Sequence, residues 1–235
     1  MPKYTSALVK ATLIKRYKRF LADVSLANGE RVTVHCPNTG AMTNCAEPGW
    51  TVYLSESPNP KRKYKYTWEL SEDNDNKLIG INSSFANKVV AEALQQRHIL
   101  ELAEYDQISP EIKVGDSRID FLLQGDGMPD CYLEVKSMTL RDTGGEIGYF
   151  PDTVSKRGTK HAKELGMLAQ QGHKAVLLFC VQHEGINSFD IAKHIDPEYA
   201  ETLEDAQNKG LLLLCYKCNF SMDIIKLGEA LPKAE

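Results

Sequence analysis

Between residues 7 and 82, apolar and polar positions alternate with the two-residue period of half-buried strands, and no stretch keeps a helical period. The alternation predicts strands over 7–14, 17–26, 31–36, 50–54, 62–70 and 77–81. Asn28-Gly29 marks a hairpin between the second and third. Pro37-Asn38-Thr39-Gly40-Ala41-Met42 reads as a loop, and Gly49 precedes the next strand. Five or six strands without a helix predict a small barrel of the OB type.

The pattern changes at Asn82-Ser83-Ser84, which reads as a boundary and a helix cap. The chain thus divides into 1–82 and 83–235. A helix is predicted over 85–97, with Phe85, Val89, Glu92 and Gln96 on one stripe. Strands follow at 111–114 and 118–123, turning at Gly115-Asp116, then at Cys131–Met138. A helix fits 154–171, with Gly172 as its stop. The continuous apolar run 175–181 suits a strand covered on both faces. A helix led by Pro197 and a strand over 211–216 complete the order. The class is α/β (α+β): an OB-like barrel, then an α/β sandwich with a mixed sheet.

Composition adds little to this, but charge adds something. Residues 1–82 carry 12 Lys and Arg against 8 Asp and Glu, a net +4; residues 83–235 carry 16 against 24, a net −8. The first part is the better partner for a polyanion, and the second for a cation. No apolar run approaches the ~20 residues of a membrane span. Charges follow the first residues with no signal-peptide pattern, so a cytoplasmic protein with no membrane partner is expected. Its six cysteines are then reduced. Cys215-Tyr216-Lys217-Cys218 has no second ligand pair to make a zinc site.

The candidate chemistry centres on Asp120 and on Leu133-Glu134-Val135-Lys136. On a strand Glu134 and Lys136 share one face, and Leu133 and Val135 the other. If the strands bearing Asp120 and Glu134 pair as a hairpin, two carboxylates and an ammonium meet. Buried charge is costly unless paired or metal-bound. Asp120, Glu134 and the Val135 carbonyl suit Mg²⁺ (or Mn²⁺), with water or phosphate filling the shell. Lys136 would support an attacking water, and Glu92 would add a carboxylate from the helix. The plain alternative is a salt-bridged pair of strands.

Three further segments suit nucleic acid. Lys156-Arg157-Gly158-Thr159-Lys160-His161 opens a helix, where Arg157, Lys160 and His161 can share a face toward a phosphate. Lys61-Arg62-Lys63-Tyr64-Lys65-Tyr66-Thr67-Trp68 interleaves cations with aromatics. On a strand it would present Tyr64, Tyr66 and Trp68 on one face, either to stack on bases or as core behind a solvated lysine edge. Lys15, Arg16, Lys18 and Arg19 form another basic cluster, and Asn38 lies in a loop of the kind that lines OB binding faces. No Walker loop or nucleophile elbow is present.

Five stretches, in order, carry a resemblance over essentially the whole chain. They are His35-Cys36-Pro37-Asn38-Thr39-Gly40-Ala41-Met42, Arg118-Ile119-Asp120-Phe121, Tyr132-Leu133-Glu134-Val135-Lys136-Ser137, Phe150-Pro151-Asp152 and Arg157-Gly158-Thr159-Lys160-His161. With them the chain resembles the sugar fermentation stimulation protein A family of bacteria and archaea. The resemblance implies an N-terminal OB-like domain and a C-terminal domain similar to PD-(D/E)XK restriction-endonuclease-like nucleases. It also implies DNA binding and a role in regulating sugar (maltose) catabolism. Asp120 takes the acidic position, Glu134 and Lys136 the ExK, and Glu92 the helix carboxylate. Ile119 stands where a proline is expected, and Pro151-Asp152 follows the ExK and so has the wrong order for the catalytic aspartate.

The expected function is a DNA-binding protein with a Mg²⁺-dependent site for phosphodiester hydrolysis. The alternative is a non-catalytic DNA-binding regulator; a sugar-binding module has only the barrel loops in its favour. DNA versus RNA, single versus double strand, and homodimer formation stay open.

Overall fold

The computed structural model describes residues 2–115 and 117–234. Its first sheet holds β1 (Val9–Tyr17), β2 (Leu21–Leu26), β3 (Arg31–His35), β4 (Thr51–Glu56), β5 (Tyr66–Glu72) and β6 (Leu78–Gly80). The order is β3-β2-β1-β4-β5-β6, and a parallel contact of His35 with Thr67 closes five strands into a barrel. Leu13, Val24, Val34, Val52, Leu54 and Trp68 fill its interior. This is the OB-like barrel the alternation predicts, closed so that no long edge is left open.

Two boundaries differ from the predicted ones. β1 runs unbroken through residues 15–17 and turns at Lys18 and Arg19, both with positive φ (50° and 64°). An irregularity between Leu13 and Lys15 shifts the alternation there, which is why the pattern breaks off early. β5 starts at Tyr66, so residues 61–65 form a loop. The two-faced reading of the Lys/Tyr run therefore fails. Trp68 lies in the barrel core, its indole N–H donating to the Leu70 carbonyl at 3.0 Å.

The second sheet is built from β7 (Gln107–Val114), β8 (Ser117–Gln124), β9 (Cys131–Met138), β12 (Lys174–Val181), β14 (Leu212–Phe220) and β15 (Ile225–Ala230), in the order β15-β14-β12-β9-β8-β7. β9, β12 and β14 run parallel, and the flanking pairs antiparallel. Helix α1 (Ser84–Gln95) packs on one face with Leu133, Val135, Val176 and Leu178. Helices α2 (Lys156–Gln170) and α3 (Pro197–Asn208) pack on the other with Leu177 and Phe179. β12 is buried at every position after Lys174, as its unbroken apolar run requires. A small sheet of β10 (Leu140–Arg141), β11 (Ile147–Phe150) and β13 (Ser188–Ile191) completes the sandwich.

The alternation misses β10, β11, β13 and β15. β10 has two residues and β11 and β13 four each, too few to establish a period. β7 begins at Gln107 and carries Pro110 within it. Pro110 is tolerated because β7 is an edge strand, where a missing N–H breaks no ladder. Of the predicted turn Gly115-Asp116, Asp116 lies outside the described residues. All six cysteines are buried thiols, and Cys215 and Cys218 fall into the two different cores. Among the described residues no helix is long and apolar enough to cross a membrane.

The two units are stitched together by backbone. Gly80 N–H donates to Gln182 O at 2.8 Å and Glu184 N–H to Leu78 O at 3.0 Å. Residues 2–4 leave the barrel altogether: Lys3 bridges Ile224, and Tyr4 packs in the α1 core.

Candidate active site

Asp120 lies where β8 parts from β9. Their pairing runs through Leu123–Cys131, Leu122–Tyr132 and Phe121–Leu133, and one more step would set Asp120 opposite Glu134. Instead Asp120 Oδ2 accepts the Val135 N–H at 2.8 Å, a side chain standing in for a strand carbonyl. The strand changes face here: Ile119 joins the α2–α3 core, Phe121 and Leu123 the α1 core. Asp120 Oδ1 accepts from Asn87 Nδ2 of α1 at 2.7 Å.

Glu134 and Lys136 share the face toward α2, as the alternation predicts. Glu134 Oε1 accepts from Lys136 Nζ at 2.6 Å and pairs with His161 Nδ1 of α2. Lys136 Nζ lies 3.3 Å from the same ring nitrogen. Glu134 and His161 are each only 3% exposed. Glu134 Oε2 is buried and has no hydrogen-bond partner among the described residues. The position of His161 rests on the start of α2, where Ser155 Oγ caps the Gly158 N–H at 3.0 Å and Ser155 N–H is held by Asp196 Oδ2 at 2.8 Å. Asp196 also caps α3, bringing in Tyr199, whose ring meets Phe150 with centroids 5.5 Å apart.

The two carboxylates are driven apart electrostatically. Burial, and then the charge of Glu134, push the Asp120 carboxyl up; the Val135 and Asn87 hydrogen bonds offset only part of this. Burial would also raise Glu134, but His161 and Lys136 outweigh it and hold the carboxyl below its ordinary range. Burial, then Glu134, push the Tyr199 phenol up, and its hydroxyl too is buried without a partner. Paired carboxyls with divergent titration mark sites where a proton or a cation is handled.

These donors fit a hard divalent cation. A half-buried carboxylate and a buried one lie on neighbouring strands, and one oxygen of the buried one is left without a donor. Among the described residues no group of three or more His, Cys, Asp or Glu is arranged to hold a metal. The shell would need a backbone carbonyl, water or phosphate.

The structure thus brings Asp120, Glu134, Val135 and Lys136 together. It sets Glu92 differently: Asn87 is the α1 residue on Asp120, while Glu92 Oε1 takes the Gln96 amide at 2.8 Å. Asn87 and Glu92 flank the buried stripe of α1 on opposite rims, and a single helix pattern does not say which rim meets the strand. The predicted shared face of Arg157, Lys160 and His161 is also corrected. His161 is buried against Glu134, whereas Arg157 and Lys160 are exposed, Lys160 lying 3.8 Å from Glu164. Burial also explains why no sequence pattern pointed to Tyr199.

On the barrel, Lys18 and Arg19 are exposed beside the exposed Phe20, and Lys15 lies 3.6 Å from Asp23. Arg16 turns inward: its Nη2 donates to the carbonyls of Arg19, Asn38 and Gly40 at 2.7, 2.9 and 2.9 Å. Asn38 Oδ1 in turn accepts the Gly40 N–H. Lys61, Arg62, Lys63 and Lys65 are exposed. Arg62 bonds Thr67, and Lys63 and Lys65 lie over the rings of Tyr64 and Tyr66.

An OB-like barrel carrying a mixed-sheet sandwich, with two acids and a lysine where its strands part, defines the class of protein. Two family models match in tandem: the SfsA N-terminal OB domain over residues 14–81, and the sugar fermentation stimulation protein RE domain over residues 84–223. The chain belongs to the sugar fermentation stimulation protein family. It is 52% identical to a sugar fermentation stimulation protein homolog of Pseudoalteromonas atlantica over 98% of each chain, and 53% identical to one of Shewanella baltica over 97% of each. The structure of Pyrococcus furiosus SfsA in complex with Ca²⁺ superposes with a TM-score of 0.87, at 26% identity, over 99% of this chain and 98% of that one.

Proposed function

We propose that this protein is a divalent-metal-dependent nuclease acting on DNA. The observation that carries the reading is the half-buried Asp120 near the buried Glu134, with Lys136 beside Glu134 and Glu134 Oε2 left without a donor. The Ca²⁺ complex of the Pyrococcus relative supports a divalent cation here; Mg²⁺ or Mn²⁺ is the ion we expect in catalysis. Asp120, Glu134 and the Val135 carbonyl would hold it. When bound, such an ion supplies charge neutralisation at phosphate and an acidified water. Lys136 Nζ would face the charge that develops on the phosphoryl oxygens. His161, locked on Glu134 Oε1, fixes the carboxylate so that Oε2 remains for a ligand.

The exposed cations Lys18, Arg19, Lys61, Lys63, Lys65, Arg157 and Lys160 would hold the backbone, so affinity should fall steeply with salt. A second reading, a regulator that binds DNA without cutting it, is favoured by one contact: Lys136 already spends its charge on Glu134. Cleavage of labelled DNA with Mg²⁺ or Mn²⁺ by the full chain and by Lys136→Ala separates the two. Cutting that is lost in the variant while binding persists supports the nuclease. Binding without cutting, on single and double strands alike, supports the regulator.

A further inference from the structure

A small cavity of about 100 Å³ lies between the two units, at the end of β9 just beyond Lys136. Its barrel wall is Asn38 and Gly40; its sandwich wall is Ser137, Thr139, Tyr149 and Asp152. Both walls are fixed. The Asn38–Met42 loop is drawn in by Arg16 and tied across the interface by the Met42 N–H on Asp152 Oδ2 at 3.3 Å. A Cβ at Gly40 would come within 3.1 Å of Asn38 Oδ1 and 3.2 Å of Asp152 Oδ2, so glycine is what lets these two acceptors converge. Ser137 directly follows Lys136 on β9. Phe150, which also lines the cavity, packs on Tyr199, whose phenol feels the charge of Glu134.

The lining selects its occupant. It contains no lysine or arginine and one carboxylate, which disfavours a phosphate. That carboxylate already accepts a backbone N–H, and the other polar groups are amide and hydroxyl, a poor set for a cation. The Tyr149 ring, an amide, hydroxyls and a carboxylate acceptor match a neutral planar heterocycle with donors on its edge. Proteins read unpaired bases in this way, by stacking and edge hydrogen bonds. We infer that this cavity takes one unpaired nucleobase next to the phosphate at Asp120 and Glu134, so that the preferred substrate has a single-stranded position there. The inference rests on the nuclease or DNA-binding reading above and names its substrate class.

The test uses the full chain with Ca²⁺ and three labelled oligonucleotides: a single strand, an unbroken duplex, and a duplex with one unpaired 2-aminopurine. Wild type should bind the single strand and the bulged duplex about tenfold more tightly than the unbroken duplex. The 2-aminopurine emission should change on binding. Tyr149→Ala and Asp152→Asn should each lose that preference while keeping wild-type affinity for the unbroken duplex. Thermal melts report whether each variant folds, and Tyr149→Phe should restore stacking. Equal binding of all three oligonucleotides by wild type, or variants that keep the preference, would overturn the cavity's role and leave the DNA reading intact. No binding to any oligonucleotide would overturn both.

Discussion

The barrel and the sandwich each bury one glutamate to the same depth and treat it in opposite ways. Glu69 on β5 is 4% exposed and Glu134 on β9 is 3% exposed. Both oxygens of Glu69 are satisfied by neutral donors, Ser55 Oγ at 2.6 Å and Asn82 Nδ2 at 2.8 Å. Its carboxyl is pushed up by burial, which those two bonds do not overcome. Glu134 has its donors crowded on one oxygen, and its carboxyl is held down by His161 and Lys136. A buried acid with both oxygens bonded knits structure; one kept ionised with an oxygen to spare is equipped to bind something.

The comparison breaks if the two glutamates respond alike. Glu134→Gln should lower divalent-dependent cleavage by at least about 100-fold, measured under single-turnover conditions, whereas Glu69→Gln should leave it within about twofold. His161→Ala should weaken Ca²⁺ binding by about 10–100-fold in calorimetry, because it frees the rotamer of Glu134. Asp120→Asn should abolish Ca²⁺ binding and yet raise the melting temperature by a few degrees. Its carboxyl is raised in the fold, so the ionised form destabilises at neutral pH and an amide relieves that; about 1 kcal/mol corresponds to roughly 2–4 °C in a chain of this size.

The smallest effect lies in the acid limb of stability. Glu134, lowered in the fold, contributes stability that is present above its ordinary value near 4.5 and lost as pH falls through its folded value. Glu69, raised in the fold, is relieved by protonation over the same approach to acid. Denaturant titrations at falling pH should therefore show Glu134→Gln flattening the loss and Glu69→Gln not doing so. Matching slopes in the two variants would remove the distinction.

The barrel was legible because its strands alternate and its turn residues are explicit, as at Asn28-Gly29. Glu134 and Lys136 were legible for the same reason: a period of two puts them on one face. What stayed hidden depends on contacts between distant segments. Nothing local to Asn87 says that it, rather than Glu92, meets Asp120. Nothing local to His161 says that it turns inward while Arg157, one turn earlier, faces water. The Lys61–Lys65 run misled because composition resembles a strand even where the chain loops.

The pairing of residues 2–4 with 223–225 bears on how the molecule is made. Tyr4 N–H meets Asp223 O and Ile225 N–H meets Pro2 O, each at 3.3 Å. On a ribosome, residues 2–4 emerge more than 200 residues before their partners, a wait of roughly 10–40 s at ordinary rates of synthesis. The barrel is complete long before this clasp can close. Until β15 arrives, the core in which Tyr4 packs on Phe85 lacks Ile225 and Leu227, so the segment that is made first is also among the last to be locked in place.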